Sequence, residues 1–204
     1  MNPLDIINKY YADNEPLHKL LIFHSNQVKE RALKIVAAHP ELPFDAQFVE
    51  QGAMLHDIGI FLTDAPAIHC HGTEHYLMHG YLGGQLMRKE GLERVARVCE
   101  RHTGTGLTEA VIHQRELPLP PGDYRPRTLE EEVICYADKF YSKSHPERER
   151  SVNDTARSLE KFGLDGVCIF WTWVKRFEPE WYDESLHQAA QAKLLAAAPT
   201  DLTE

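Results

Sequence analysis

Histidines and aspartates at inward-facing positions are the residues of this sequence best suited to chemistry. His56-Asp57 is a polar doublet inside the otherwise apolar run Gly52-Ala53-Met54-Leu55-His56-Asp57-Ile58-Gly59. Burying an ionised carboxylate is costly unless it is paired or holds a metal. Imidazole nitrogen and carboxylate oxygen both ligate first-row metals. Taken alone, the doublet also reads as a helix-end histidine beside a solvated aspartate. Four further positions favour the metal. His24 sits in an apolar stripe, four residues from both Leu20 and Val28. His102 shares a helical face with Leu92, Val95 and Cys99, and His79 with Leu82, Gly83 and Leu86. Asp138 follows the apolar run Val133-Ile134-Cys135-Tyr136-Ala137. Six such residues on five helices, all expected to face inward, make a His/Asp cage.

The elements that must position them are helices. Leu17, Leu20, Leu21, His24, Val28, Ala32 and Ile35 recur at three- and four-residue steps, which predicts an amphipathic helix over 17–38. A second helix is expected from Asp45, its N-cap, to Asp57, with Gly59 at its end. Residues 61–73 read as loop, followed by helices from Glu74 to Lys89 and from Leu92 to His102. The proline-rich stretch 117–127 breaks the pattern. Thr128, with Glu131 three residues later, is a capping-box start for a helix through Tyr141. Helices near 151–162, 164–177 and 183–197 precede a polar tail. No period-two alternation stands out, so the expected class is all-α, a helical bundle with additional C-terminal helices. The 204 residues suit a single domain over 1–204.

The ordered set of His24, His56-Asp57 and Asp138 resembles the H…HD…D signature of the HD-domain metal-dependent phosphohydrolases, over about residues 17–145. The run His56-Asp57-Ile58-Gly59 is similar to their HDIG variant. His79 and His102 resemble the extra histidines of the subset that binds two metals. The resemblance implies an all-α HD-domain bundle in which His24, His56, Asp57 and Asp138 hold one divalent ion. Asp57 would bridge to a second ion held by His79 and His102. A metal-activated water would then hydrolyse a phosphate ester or anhydride, with ions roughly 3.5–4 Å apart gripping water and phosphate. Ligands of His and carboxylate without cysteine favour iron or manganese over zinc, magnesium or nickel. A nucleotide or dinucleotide is the expected substrate, because the spacing of His79 and His102 is similar to that of small HD hydrolases of dinucleoside polyphosphates. Many HDIG proteins carry a phosphate-contacting lysine directly after the motif. Here that position is Ile60, so Lys139 or Arg101 is the candidate replacement. Three other readings stay open: an HD-fold diiron oxygenase, a non-catalytic ligand-binding module, and a structural interaction module.

Other features bear on substrate and setting. His69, His71 and His75 crowd the segment before His79, and His75 is a candidate substrate contact or a polar rim residue. Glu74 reads as a helix start or a general acid, and His113 as a pocket or surface residue. The 117–127 loop, with Tyr124, Arg125 and Arg127, either covers the pocket, with Arg125 touching substrate, or is a rigid connection. The mixed-sign run from Lys143 to Arg150 reads as solvated surface. Phe170, Trp171, Trp173, Val174 and Phe177 read as core, with a homodimer interface as the second reading. A net charge of −9 disfavours binding to a nucleic-acid polymer or an anionic membrane. There is no 18-residue apolar run and no basic-then-apolar N-terminus, so neither a membrane span nor a secretory signal is expected. Four cysteines without a CxxC pair suit free thiols in the cytoplasm.

Overall fold

A computed structural model describes residues 2–197 and divides the chain into two compact units, Met1–Arg150 and Ser151–Glu204. The architecture is helical, with one two-stranded hairpin among the described residues.

In the first unit, α1 (Pro3–Tyr11) starts at Asn2, whose side chain accepts from the Leu4 amide, with proline at the start of the helix. The long α2 (Glu15–Ala38) is capped by Asn14. It buries Leu17, Leu21, His24, Ser25, Val28, Ala32 and Ile35 along one stripe, the face foreseen from the sequence. That stripe packs on α3 (Ala46–Leu55) and α7 (Leu129–Asp138). Each buried valine, leucine or isoleucine contributes on the order of 1.5–3 kcal/mol, so this apolar contact holds the site's polar residues in place. Asp45 caps α3 through the Phe48 amide and Thr128 caps α7 through the Glu131 amide, both at the expected positions. Between α3 and α7 come strands β1 (Asp64–Ala65) and β2 (Cys70–His71), then α4 (His79–Lys89), α5 (Glu93–Arg101) and α6 (Glu109–Gln114). The strands pair antiparallel, with Asp64 opposite His71.

Several expectations are corrected. Helices α1 and α6 were unforeseen, as was the hairpin inside 61–73. Two short strands and a six-residue helix are too brief to show periodicity. The doublet's helix stops at Leu55, so His56 and Asp57 lie in the turn beyond it. The next long helix begins at His79 instead of Glu74, after a 3₁₀ turn over Tyr76–Met78. The Thr128 helix ends at Asp138 rather than Tyr141.

The second unit holds α8 (Val152–Leu159), α9 (Leu164–Phe177) and α10 (Glu184–Ala197). Ser151 caps α8 through the Asp154 amide. Phe170, Trp171, Trp173, Val174 and Phe177 on α9 are all buried, which fits the core reading. The polar tail after 197 lies outside the described residues.

Candidate metal centre

The turn after α3 is where the site is built. Tyr11, buried on the unforeseen α1, donates its hydroxyl to the Ile58 carbonyl at 2.8 Å and anchors this turn. Gly59 lets the turn lie against α4, because a Cβ there would collide with the His79 carbonyl and the Gly83 backbone. The close approach sets His79 opposite Asp57.

Six residues from five segments converge. His24 Nε2 lies 3.0 Å from Asp138 Oδ1 and 3.2 Å from Asp57 Oδ2. His56 Nε2 lies 3.0 Å from Asp57 Oδ2 and 3.5 Å from Asp138 Oδ1. On the other side of the same carboxylate, Asp57 Oδ1 is 3.4 Å from His79 Nε2 and 3.3 Å from His102 Nε2. Ligand-type atoms of His24, His56, Asp57 and Asp138 all fall within 4.8 Å of one another, and so do those of Asp57, His79 and His102. The two groups share Asp57.

The orientation of the rings is as informative as the distances. His56, His79 and His102 each donate Nδ1–H to the carbonyl three residues earlier, of Ala53, Tyr76 and Cys99, at 2.7 Å in every case. A carbonyl only accepts, so Nδ1 carries a proton in each ring and Nε2 points into the site, with a free lone pair wherever the ring is neutral. The consequence is sharpest for His79 and His102, whose Nε2 atoms face each other at 3.0 Å. Burial depresses the basicity of both, and takes His79 down to about 3, so both rings are neutral near pH 7. Two lone pairs face to face are repulsive unless a cation lies between them. His56 Nε2 and Asp57 Oδ1 are buried and lack a well-formed hydrogen bond among the described residues, which is costly for a protein-only arrangement. The donor set therefore fits divalent metal.

The charges around the cage are balanced. Burial alone would raise the Asp57 and Asp138 carboxyls. Lys143 and His56 outweigh it at Asp57, and Lys139 outweighs it at Asp138, so both stay well below the usual carboxylate range. Burial opposes a proton on His56, but Asp57 and Asp138 prevail and push it up to about 9. The same two carboxylates would favour a metal ion at Nε2 in exchange for that proton.

The candidate substrate contacts are placed differently from one another. Arg101 is tied to buried Glu131, with Nη1 at 3.0 and 2.9 Å from its two oxygens. Lys139 donates to the His102 carbonyl at 2.8 Å and to Asp138 Oδ2 at 2.7 Å, beside the cage. His75 is exposed, and its Nδ1 accepts from the Leu77 amide to cap the 3₁₀ turn, so it does not share a helix with His79. Arg125 is exposed and pairs with Asp123 at 2.6 Å. Its loop is ordered through Tyr124, which donates to the Pro120 carbonyl. His113 is exposed on α6. Glu74 precedes α4 and contributes its carbonyl to the Asp64 amide. Ile60 is fully buried.

Lys143 corrects the reading of 143–150 as solvated surface. Its amine is 2.5 Å from Asp57 Oδ2 and its side chain is only 12% exposed. Burial would lower its pKa, but Asp57, Tyr76 and Asp138 raise it further, so the amine is charged. The mixed charges around it concealed it. The available signal was its place five residues after Asp138, close enough to fold back onto the cage.

Residues 21–142, more than half of the chain, match the HD domain family. The chain belongs to the HD-domain family. An uncharacterized protein of Methanocaldococcus jannaschii is 34% identical over 161 residues, which cover 78% of this chain and 82% of that protein. The tRNA (cytidine(56)-2′-O)-methyltransferase of Thermoplasma volcanium is 34% identical over 168 residues, covering 81% of this chain but 42% of that enzyme. Its namesake in Picrophilus torridus is 32% identical over 130 residues, 63% of this chain and 33% of the enzyme. This chain thus spans less than half the length of either methyltransferase. No solved structure matches.

Proposed function

We propose that this protein is a metal-dependent phosphohydrolase that hydrolyses a phosphate ester or anhydride of a small molecule, with nucleotides and dinucleotides the first class to test. The observation that carries this reading is Asp57, with one carboxylate oxygen turned to His24 and His56 and the other to His79 and His102. His24, His56, Asp57 and Asp138 would hold one divalent ion, and Asp57, His79 and His102 a second. When bound, such ions supply Lewis-acid neutralisation of phosphate charge and lower the pKa of water. The chain itself orients the ligands. The three Nδ1–H bonds to backbone carbonyls fix ring tautomer and direction. Lys139 pins Asp138 to the end of α5 through the His102 carbonyl. Cys99 and Cys135 donate their thiols to backbone carbonyls, and burial raises both pKa values, so neither offers a thiolate. Donors limited to His and carboxylate favour iron or manganese.

The tRNA methylation named for two relatives belongs to those enzymes. A chain of net charge −9 repels a polyanion on average, which supports a small substrate. No helix among the described residues is long and apolar enough to cross a membrane. Cytoplasmic placement is part of the proposal and is supported by four free cysteines, three of them buried.

The test is elemental analysis of untagged protein purified without chelator, followed by a phosphatase and dinucleotide-hydrolase screen in the metal found. The expected result is about two equivalents of iron or manganese and phosphate release that a chelator abolishes. Oxygen consumption on a non-phosphate substrate would replace the hydrolase with an oxygenase. Metal uptake without turnover on any phosphate substrate would leave a ligand-binding module.

A further inference from the structure

We infer that Lys143, together with the hydroxyl of Tyr76, forms the phosphoryl-binding edge of the site and selects a phosphoryl group carrying more than one negative charge. This rests on the phosphohydrolase reading. The Lys143 amine is 2.5 Å from Asp57 Oδ2, the oxygen that also faces His24 and His56. It stands beside the centre of the cage, and its side chain is 12% exposed, so it also reaches solvent. The phenol of Tyr76 faces the same amine, and its ring stacks on His79 with centroids 4.8 Å apart and planes at 27°. The stack fixes the Tyr76 ring beside His79. An ammonium has three N–H donors. Asp57 and Tyr76 are acceptors facing this one, and a third donor can meet an incoming oxygen. A phenol that accepts from the amine keeps its own O–H to donate to an incoming oxygen.

Charge sets the substrate class. Asp57 and Asp138 are cancelled by Lys143 and Lys139, and His56 gives up its extra proton when it ligates. Two divalent ions on that neutral frame leave an excess of positive charge, which a monoanionic internal diester offsets poorly and a terminal phosphoryl dianion or an anhydride offsets well. The other candidate cations are engaged: Arg101 by Glu131, Arg125 by Asp123, and Lys139 by Asp138 and the His102 carbonyl. A lysine is a compact point charge suited to this role.

The experiment measures binding of inorganic phosphate and of dimethyl phosphate to metal-loaded protein by calorimetry, with metal content determined on the same samples. Wild type should bind phosphate more tightly than the diester. Lys143→Met should keep its metal and lose phosphate affinity by about tenfold or more, with the gap between the two anions closing. Tyr76→Phe, which preserves the stack, should weaken phosphate by a few-fold, and Lys143→Arg should recover much of the affinity that Met loses. Unchanged phosphate affinity in Lys143→Met at full metal content overturns the inference and leaves Lys143 as a counter-charge to Asp57. Loss of metal from Lys143→Met also overturns it, since the lysine would then act through the ligands. Should that variant not fold, Tyr76→Phe decides, and unchanged phosphate affinity there is equally fatal. Wild-type protein that takes up no metal fails at the earlier step, the functional reading itself.

Discussion

At Asp57 one carboxylate serves two groups of histidines, so substitutions around it should separate the groups. His79→Ala removes one nitrogen from the second group and leaves His24, His56, Asp57 and Asp138 intact. It should reduce bound metal from about two equivalents to about one. Asp57→Asn takes the shared charge from both groups and should remove nearly all metal while circular dichroism stays helical. Equal metal content in the two variants would disprove the division. Both residues were readable in the sequence, since a histidine in an apolar stripe and an aspartate in an apolar turn each demand a partner. The pairing of Nε2 lone pairs was not, because it depends on ring proton positions set by contacts with Ala53, Tyr76 and Cys99 carbonyls.

Helices α4 and α5 bring His79 and His102 together, and they approach closely because Gly80 has no side chain. A Cβ at Gly80 would lie 2.5 Å from the Cys99 carbonyl oxygen. Gly80→Ala should push the two helices apart, at a cost of about 1–3 kcal/mol, and weaken metal binding by His79 and His102 first. Thermal melts with elemental analysis would show a lower Tm and close to one remaining equivalent, whereas unchanged metal content would mean the spacing is set elsewhere. The glycines of His79-Gly80-Tyr81-Leu82-Gly83 are plain in the sequence, but what each one faces, the Cys99 carbonyl for Gly80 and the Gly59 amide nitrogen for Gly83, belongs to the tertiary structure.

For the whole molecule, the site ties stability to pH. In chelator-treated protein, His79 takes up a proton only near 3 when folded and His102 is also depressed, against about 6.5 for both in the unfolded chain. Their contribution is therefore full above about 6.5 and declines as pH falls toward 3. The lowered Asp57 and Asp138 reinforce that acid loss below about 4. His56 runs the other way, with its contribution complete below 6.5 and lost as pH rises through about 9. The urea midpoint should therefore peak near neutrality and fall on both sides, and a midpoint flat from pH 5 to 9 would contradict these assignments. The same titrations test the proposal that 1–204 unfolds as a single domain, which requires one cooperative transition, whereas two would separate Met1–Arg150 from Ser151–Glu204.

The sequence by itself determined what local periodicity and burial cost can encode. The stripe of α2, the caps at Asp45 and Thr128, the all-α class and the six inward residues all follow from side chains that must leave water and polar groups that then need partners. Tertiary structure decided which partner each one found. It assigned Arg101 to Glu131 and Lys143 to Asp57, two cations that look alike as charges in a string. It also anchored the His56-Asp57 turn to α1 through a single Tyr11 hydroxyl. Electrostatic pairing depends on distance in space, and distances between segments a hundred residues apart are set only when the helices pack.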